Sequence, residues 1–125
     1  MPRTILVVDD EPDCCEALRD FFAEMGYGVV ETYTGDEALE AYWHERPILV
    51  LLDMMMPGMS GLVTLRELKA IDPKARVIMC SALHEEELAK QAMAEGALDY
   101  ITKPINLDYL ERAVATTITP TGTEG

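Results

Sequence analysis

Apolar residues gather in five short clusters along the chain: Ile5–Val8, Val29–Val30, Ile48–Leu52, Val77–Cys80 and a weaker one at Tyr100–Ile101. The first, third and fourth are continuous rather than alternating, the pattern of strands covered on both faces. Between the clusters the period becomes helical. Cys14, Ala17, Leu18, Phe21, Phe22 and Met25 follow i, i+3, i+4 spacing, and Gly26 stands where a helix-ending glycine belongs. Thr34-Gly35-Asp36-Glu37 has the form of a capping box and puts Ala38, Leu39 and Tyr42 on one face of a second helix. Leu62, Leu65 and Leu68 mark a third, with Ser60 as its N-cap and Asp72-Pro73 beyond its end. Leu88, Ala92 and Met93, closed by Gly96, mark a fourth. Leu107, Leu110 and Val114, opened by Asn106, mark a fifth.

Strand and helix therefore alternate five times. That order predicts an α/β fold: a five-stranded parallel sheet, doubly wound by right-handed crossovers, with helices on both faces. Residues 1–118 are expected to form one domain. Residues 119–125, with Pro, Gly and Thr and no periodicity, are expected to form a tail or the stub of a linker.

Composition narrows the function. The chain has 125 residues, 49% of them hydrophobic, and its 10 Lys+Arg against 23 Asp+Glu leave a net charge of −13. With a pI near 4.3, a nucleic-acid surface is not expected, because phosphate neutralisation needs clustered Lys and Arg. The longest apolar run, Ile48–Leu52, is far too short to cross a bilayer, and the N-terminus has no signal-peptide core. Cys14 and Cys15 are neighbours and Cys80 stands apart. No CxxC spacing signals zinc or a redox pair, so the thiols read as small hydrophobes in a reduced, cytoplasmic protein.

In an open α/β sheet, ligands bind outside the carboxyl ends of the strands. The first strand is followed by Asp9-Asp10-Glu11, the third by Asp53, the fourth by Ser81 and the fifth by Lys103-Pro104. Singly, each has a plain explanation: Asp10 could cap the first helix, Asp53 could open the turn before Pro57-Gly58, and Lys103 could be a solvated charge. Together, carboxylates at one sheet edge repel one another unless a cation sits among them. Oxygen-only donors favour a hard ion such as Mg²⁺. A site with Mg²⁺, an ammonium and a hydroxyl is suited to hold a phosphoryl group.

Four runs carry a specific resemblance: Ile5-Leu6-Val7-Val8-Asp9-Asp10-Glu11-Pro12, Leu52-Asp53 through Ser60-Gly61, Val77-Ile78-Met79-Cys80-Ser81-Ala82, and Tyr100-Ile101-Thr102-Lys103-Pro104. In order and spacing they resemble the receiver domain of two-component response regulators, from about residue 4 to about residue 117, a flavodoxin-like fold. The resemblance implies that Asp53 is the phosphoacceptor, attacking the phosphorus of a phosphohistidine on a sensor histidine kinase or histidine phosphotransfer protein. Asp9 and Asp10 would hold Mg²⁺ with Asp53, and the backbone carbonyl of Met55 would complete the metal shell. Ser81 would bond the acyl phosphate, Ala82 would leave access to it, and Lys103 would pair with the phosphoryl oxygens. A cis peptide is implied before Pro104, and Tyr100 matches an aromatic that switches between exposed and buried rotamers. The signal would leave through the fourth helix, fifth strand and fifth helix, about residues 84–116, toward a downstream protein, an output domain or a second copy of the chain. The resemblance implies a regulatory domain that assists its own phosphorylation and dephosphorylation, not a turnover enzyme.

Alternatives from other classes fit less well. An Mg²⁺-dependent aspartyl phosphohydrolase would place Asp-x-Asp after the first strand, and a flavodoxin-like cofactor binder would place a Ser/Thr/Gly-rich loop there. A phosphorylation-independent docking module would have no need of all of Asp9, Asp10, Asp53, Ser81 and Lys103. Met54, Met55, Met56 and Met59 read as packing and loop residues rather than a soft-metal site. His44 and His84 read as solvated helix residues, and Glu85-Glu86-Glu87 as a favourable helix N-terminus. Met55 and Leu83, two positions after Asp53 and Ser81, are apolar where water would approach, and are expected to lengthen the life of the phosphorylated form.

Overall fold

Successive strand residues point to opposite faces of a sheet, and here both faces are apolar. In β1 (Thr4–Val8), Leu6 and Val8 point to one core while Ile5 and Val7 point to the other. β3 (Leu49–Asp53) divides in the same way into Val50 and Leu52 against Leu49 and Leu51, and β4 (Val77–Ser81) into Val77 and Met79 against Ile78 and Cys80. All three strands are buried along almost their whole length, as continuous apolar runs require. β2 (Gly28–Thr32) and β5 (Asp99–Thr102) are only partly buried and form the sheet's edges.

This computed structural model describes residues 3–56, 58–82 and 85–118. Among them the five strands pair in parallel in the order β2-β1-β3-β4-β5. α1 (Pro12–Glu24) and α5 (Leu107–Ile118) cover one face, through Cys15, Leu18, Phe22, Leu110 and Val114. α2 (Gly35–Glu45), α3 (Gly61–Ile71) and α4 (Glu86–Ala94) cover the other, through Ala38, Tyr42, Leu65, Leu68 and Ala92. The doubly wound α/β architecture expected from the strand–helix alternation is the one observed. The order of connection reverses between β1 and β3, and at such a switch point the loops diverge and leave a crevice.

The helix ends follow the sequence closely. Thr34 and Ser60 each accept a backbone hydrogen bond from the residue three positions on, Glu37 and Val63. The Asn106 carboxamide oxygen accepts one from the Tyr109 N–H at 3.0 Å. Gly26 takes a φ of +92°, the left-handed residue expected after α1. The Glu37 carboxylate returns not to the Thr34 N–H, as a closed capping box would, but one residue earlier, to the Tyr33 N–H at 2.9 Å.

Three apolar positions expected on core-facing stripes are exposed: Ala17, Met93 and Leu107, with α1 turning Cys15 rather than Ala17 inward beside Leu18 and Phe22. Met93 lies about 100° around α4 from Ala92, and α4 buries only Ala92 against the sheet margin, so Met93 faces outward. Leu107 is the first residue of α5, where the helix has not yet reached the sheet. His44 is exposed in the last turn of α2. Leu83, His84, Pro57 and the expected tail at 119–125 lie outside the described residues.

Candidate functional site

Because β1 and β3 are adjacent and in register, with Val8 opposite Leu52, the residues that follow them emerge side by side at the switch point. Asp9 and Asp53 are buried there and Asp10 is exposed. Their carboxylate oxygens lie within 4.8 Å of one another, forming the one acidic group among the described residues with the compactness of a metal site. Hydrogen bonds hold the two buried acids. Asp9 Oδ1 accepts from the Glu11 N–H at 3.0 Å, and Asp53 Oδ1 accepts from the Met55 N–H at 3.3 Å. Asp10 does not cap α1; Glu11 holds the N-cap position, with Pro12 as the first helical residue.

Lys103 reaches this cluster from the end of β5. Its backbone N–H donates to the Ser81 carbonyl at 2.7 Å, and its peptide bond to Pro104 is cis, as the sequence resemblance implies. The ammonium then faces three carboxylates: Asp9 Oδ2 at 2.7 Å, Glu11 Oε1 at 3.4 Å and Asp53 Oδ2 at 3.7 Å. Burial alone would lower the Lys103 pKa, but the hydrogen bond and charge of Asp9, with the charge of Asp53, outweigh it and hold the ammonium above the ordinary lysine range. Asp53 responds in the opposite sense. Burial, reinforced by the Asp9 charge, pushes its carboxyl up to about 6, against the smaller opposing pulls of Lys103 and the Met55 N–H.

Around this centre, Ser81 is fully buried at the end of β4 and Ala82 is exposed beside it. Tyr100 is half-buried and borders two cavities of about 290 and 200 Å³. Met55 is 57% exposed at the rim, while Met54 is buried in the core below α2 and α3. The structure therefore brings together Asp9, Asp10, Asp53, Lys103 and Ser81, with Met55, Ala82, Tyr100 and Pro104 on the surrounding loops and strand. The three cysteines are free thiols. Cys15 Sγ donates to the Asp9 carbonyl at 3.4 Å, and burial, with the Asp9 charge, raises the Cys14 and Cys15 thiols to about 12 and about 11, so both stay protonated at neutral pH.

One contributor, Gly61, has no chemistry that would draw attention in the sequence, and another, Glu11, stands among the acids after the first strand without a role of its own. Gly61 opens α3 directly against the end of β3: its N–H donates to the Met54 carbonyl at 2.9 Å, and a Cβ there would collide with the Asp53 carbonyl. The signal is its place after the Ser60 cap, at the first helical position. Glu11, the third acid after β1, shares the Lys103 ammonium.

The site's chemistry fits Mg²⁺. Three oxygen donors converge, two are buried, and burial with the Asp9 charge disfavours the Asp53 carboxylate despite Lys103, which invites a hard cation.

Comparison with known proteins agrees with this arrangement. The family profile described as "Response regulator receiver domain" matches residues 5–115. The chain is 38% identical over 119 residues to chemotaxis protein CheY of Bacillus subtilis, covering 94% of this chain and 99% of that protein. It is 38% identical over 114 residues to sporulation initiation phosphotransferase F of the same organism, covering 91% of this chain and 92% of that protein. Among solved structures, the CheY-like receiver domain of Methanospirillum hungatei superposes with a TM-score of 0.92 at 26% identity, over the whole of both chains. Borrelia burgdorferi CheY, solved in a complex with CheX, BeF₃ and Mg²⁺, superposes with a TM-score of 0.87 at 33% identity, over 93% of this chain and 89% of that one. With acids after β1 and β3, a lysine after β5 and a profile match spanning the sheet from first strand to last helix, the chain belongs to the receiver domains of two-component response regulators.

Proposed function

We infer that this receiver domain accepts a phosphoryl group on Asp53 from the phosphohistidine of a sensor histidine kinase or histidine phosphotransfer protein. The unit that does so spans residues 1–118. The observation that carries this reading is the convergence of Asp9, Asp10 and Asp53 within 4.8 Å with the Lys103 ammonium against them. Asp9, Asp10 and Asp53 would hold Mg²⁺, with the Met55 carbonyl completing the shell. When bound, Mg²⁺ supplies the charge neutralisation that lets an anionic donor approach an anionic acceptor.

The chain's own residues do the rest. A carboxylate oxygen of Asp53 forms the bond to phosphorus as the bond from phosphorus to the donor imidazole nitrogen breaks, and that nitrogen keeps the electron pair. Lys103 leaves Asp9 for the phosphoryl oxygens and neutralises part of their charge. The Ser81 hydroxyl, at the buried end of β4, bonds another phosphoryl oxygen. Phosphorylation adds about −1.5 to −2 charge and three acceptor oxygens at one edge of the sheet. Drawing Ser81 toward them closes the loop after β4 and opens room for Tyr100, which already borders two cavities.

The readout surface is α4, β5 and α5, within residues 84–116. α4 buries only Ala92, the fewest residues of any helix described, so it repacks at the smallest cost in core contacts. Met93 on α4, Leu98 just before β5 and Tyr109 on α5 are exposed and offer apolar area to a downstream protein, an output domain or a second copy. No described helix is long and apolar enough to cross a membrane, and a cytoplasmic setting suits the free thiols. The domain acts as a switch that assists its own phosphorylation and dephosphorylation.

The test is intact mass after incubation with acetyl phosphate and Mg²⁺. The parent gains one phosphoryl group; Asp53→Asn and an EDTA control gain none. A folded, Mg²⁺-binding parent that gains none removes the phosphoacceptor reading and leaves a docking module.

A further inference from the structure

Lys103 has to be free to meet a phosphoryl group on Asp53, yet it is held by two other acids. One of them, Asp9, belongs to the metal cluster, so a bound cation competes with the ammonium for it. The other, Glu11, does not belong to that cluster. Its Oε1 lies 3.4 Å from the ammonium, nearer than the 3.7 Å to Asp53 Oδ2. A cation at the three aspartates therefore weakens one hold on Lys103 and leaves the other in place.

We propose that Glu11 is a positioning residue: a second, metal-independent partner that holds the Lys103 ammonium at the rim of the site and sets how readily it moves to Asp53. The inference rests on Asp53 being the acceptor. Glu11 is suited to this because nothing else depends on its side chain. It stands at the N-cap of α1 yet makes no capping bond, and its side chain is 68% exposed. Its structural bonds, the N–H to Asp9 and the carbonyl to Cys15, are made by the backbone and survive substitution. The 16% exposure of Lys103 keeps the pair from being fully screened.

The experiment is a double-mutant cycle of Glu11→Gln and Lys103→Met, read in two ways. In the first, phosphorylation by acetyl phosphate with saturating Mg²⁺ is followed by intact mass. Glu11→Gln is expected to speed it by about two- to fivefold, the range of a partly exposed ion pair. That gain should disappear in the Lys103→Met background. A gain that persists without Lys103 means Glu11 acts only by repelling the anionic donor, and overturns the proposal, as does no gain at all. In the second, calorimetry measures Mg²⁺ affinity, which needs no phosphoryl chemistry. If Glu11 receives the ammonium that Mg²⁺ displaces from Asp9, Glu11→Gln weakens Mg²⁺ binding by at least about twofold more when Lys103 is present than when it is Met. Additive effects overturn the proposal. A parent that binds Mg²⁺ with this coupling but takes no phosphoryl group retains Glu11 as the partner of Lys103 and removes Asp53 as acceptor.

Discussion

The Lys103 ammonium donates to Asp9 Oδ2 at 2.7 Å and stands 3.7 Å from Asp53 Oδ2, so the one cation at the cluster of described residues is held more closely by Asp9 than by Asp53. Asp53 is left buried beside the Asp9 carboxylate, with the Lys103 ammonium at the longer distance and a 3.3 Å N–H bond from Met55 as its counterweights. Its carboxyl pKa of about 6 is the outcome. Asp53 is thus destabilised as an anion in the resting protein, and a bound cation would relieve this.

Asp53→Asn should therefore stabilise the metal-free protein. An acid whose folded pKa is raised favours the fold most when protonated, below its unfolded value of 3.8. That advantage is lost as pH rises through about 6. The melting temperature of the variant should match the parent near pH 4, exceed it increasingly up to neutral pH, and level off above. The step from 3.8 to about 6 corresponds to at most about 3 kcal/mol. Saturating Mg²⁺ should shrink or reverse the gain. A difference independent of pH would mean that Asp53 is not strained as a carboxylate.

Lys103→Met removes the partner of a buried carboxylate. Asp9 then keeps the Glu11 N–H and the Cys14 thiol but no cation, and metal-free stability should fall by about 1–3 kcal/mol. Mg²⁺ should bind more tightly than to the parent, because the ion no longer competes with an ammonium for Asp9. Calorimetry with thermal melts in EDTA and in Mg²⁺ decides it: loss of stability in both buffers with unchanged Mg²⁺ affinity would show that Lys103 does not screen the metal site.

Gly61→Ala tests the backbone support of Asp53. The added Cβ meets the Asp53 carbonyl and the Met54 backbone, neither of which is a flexible end that can swing aside. Overpacking of this kind costs about 1–3 kcal/mol. If the strain is relieved by moving the end of β3, Mg²⁺ affinity falls along with the melting temperature. Ser60→Ala, which removes the adjacent helix cap, serves as the control: about 1 kcal/mol of stability lost with Mg²⁺ affinity retained.

Most of this was legible in the sequence, for a physical reason. Strands buried on both faces must be apolar throughout, so Ile5–Val8, Ile48–Leu52 and Val77–Cys80 announce themselves, and the polar residues just beyond them are placed at one edge by parallel pairing alone. Asp9, Asp10, Asp53, Ser81 and Lys103 needed no more than that. Gly61 was not legible, because its role is a close approach to Asp53 eight residues earlier, and no local pattern encodes such a contact. Nor was the sharing of Lys103 between Asp9 and Glu11, which depends on side-chain distances differing by under an ångström. Met93 and Leu107 were misplaced because periodicity marks an apolar stripe but not where the partner surface ends; α4 and α5 lie over the last strands of the sheet, and their outer apolar residues overhang it.

Met55 separates two ways in which a residue beside an acceptor acts. Its N–H bonds Asp53 Oδ1, a backbone contact that any side chain permits. Its side chain is exposed at the rim, where attacking water would approach a phosphoryl group on Asp53. If the thioether chain hinders that approach, Met55→Ala shortens the life of the phosphorylated form while leaving its rate of formation nearly unchanged. For a single exposed side chain the expected acceleration of hydrolysis is about two- to fivefold, a barrier change of about 0.5–1 kcal/mol. The measurement is loss of the phosphoryl mass over time in Mg²⁺ buffer after removal of acetyl phosphate, beside parent and Met55→Leu. Leucine keeps the apolar bulk and should keep the lifetime. Equal lifetimes for all three would assign Met55 a backbone role alone, and would move control of hydrolysis to the placement of Lys103 between Glu11 and Asp53.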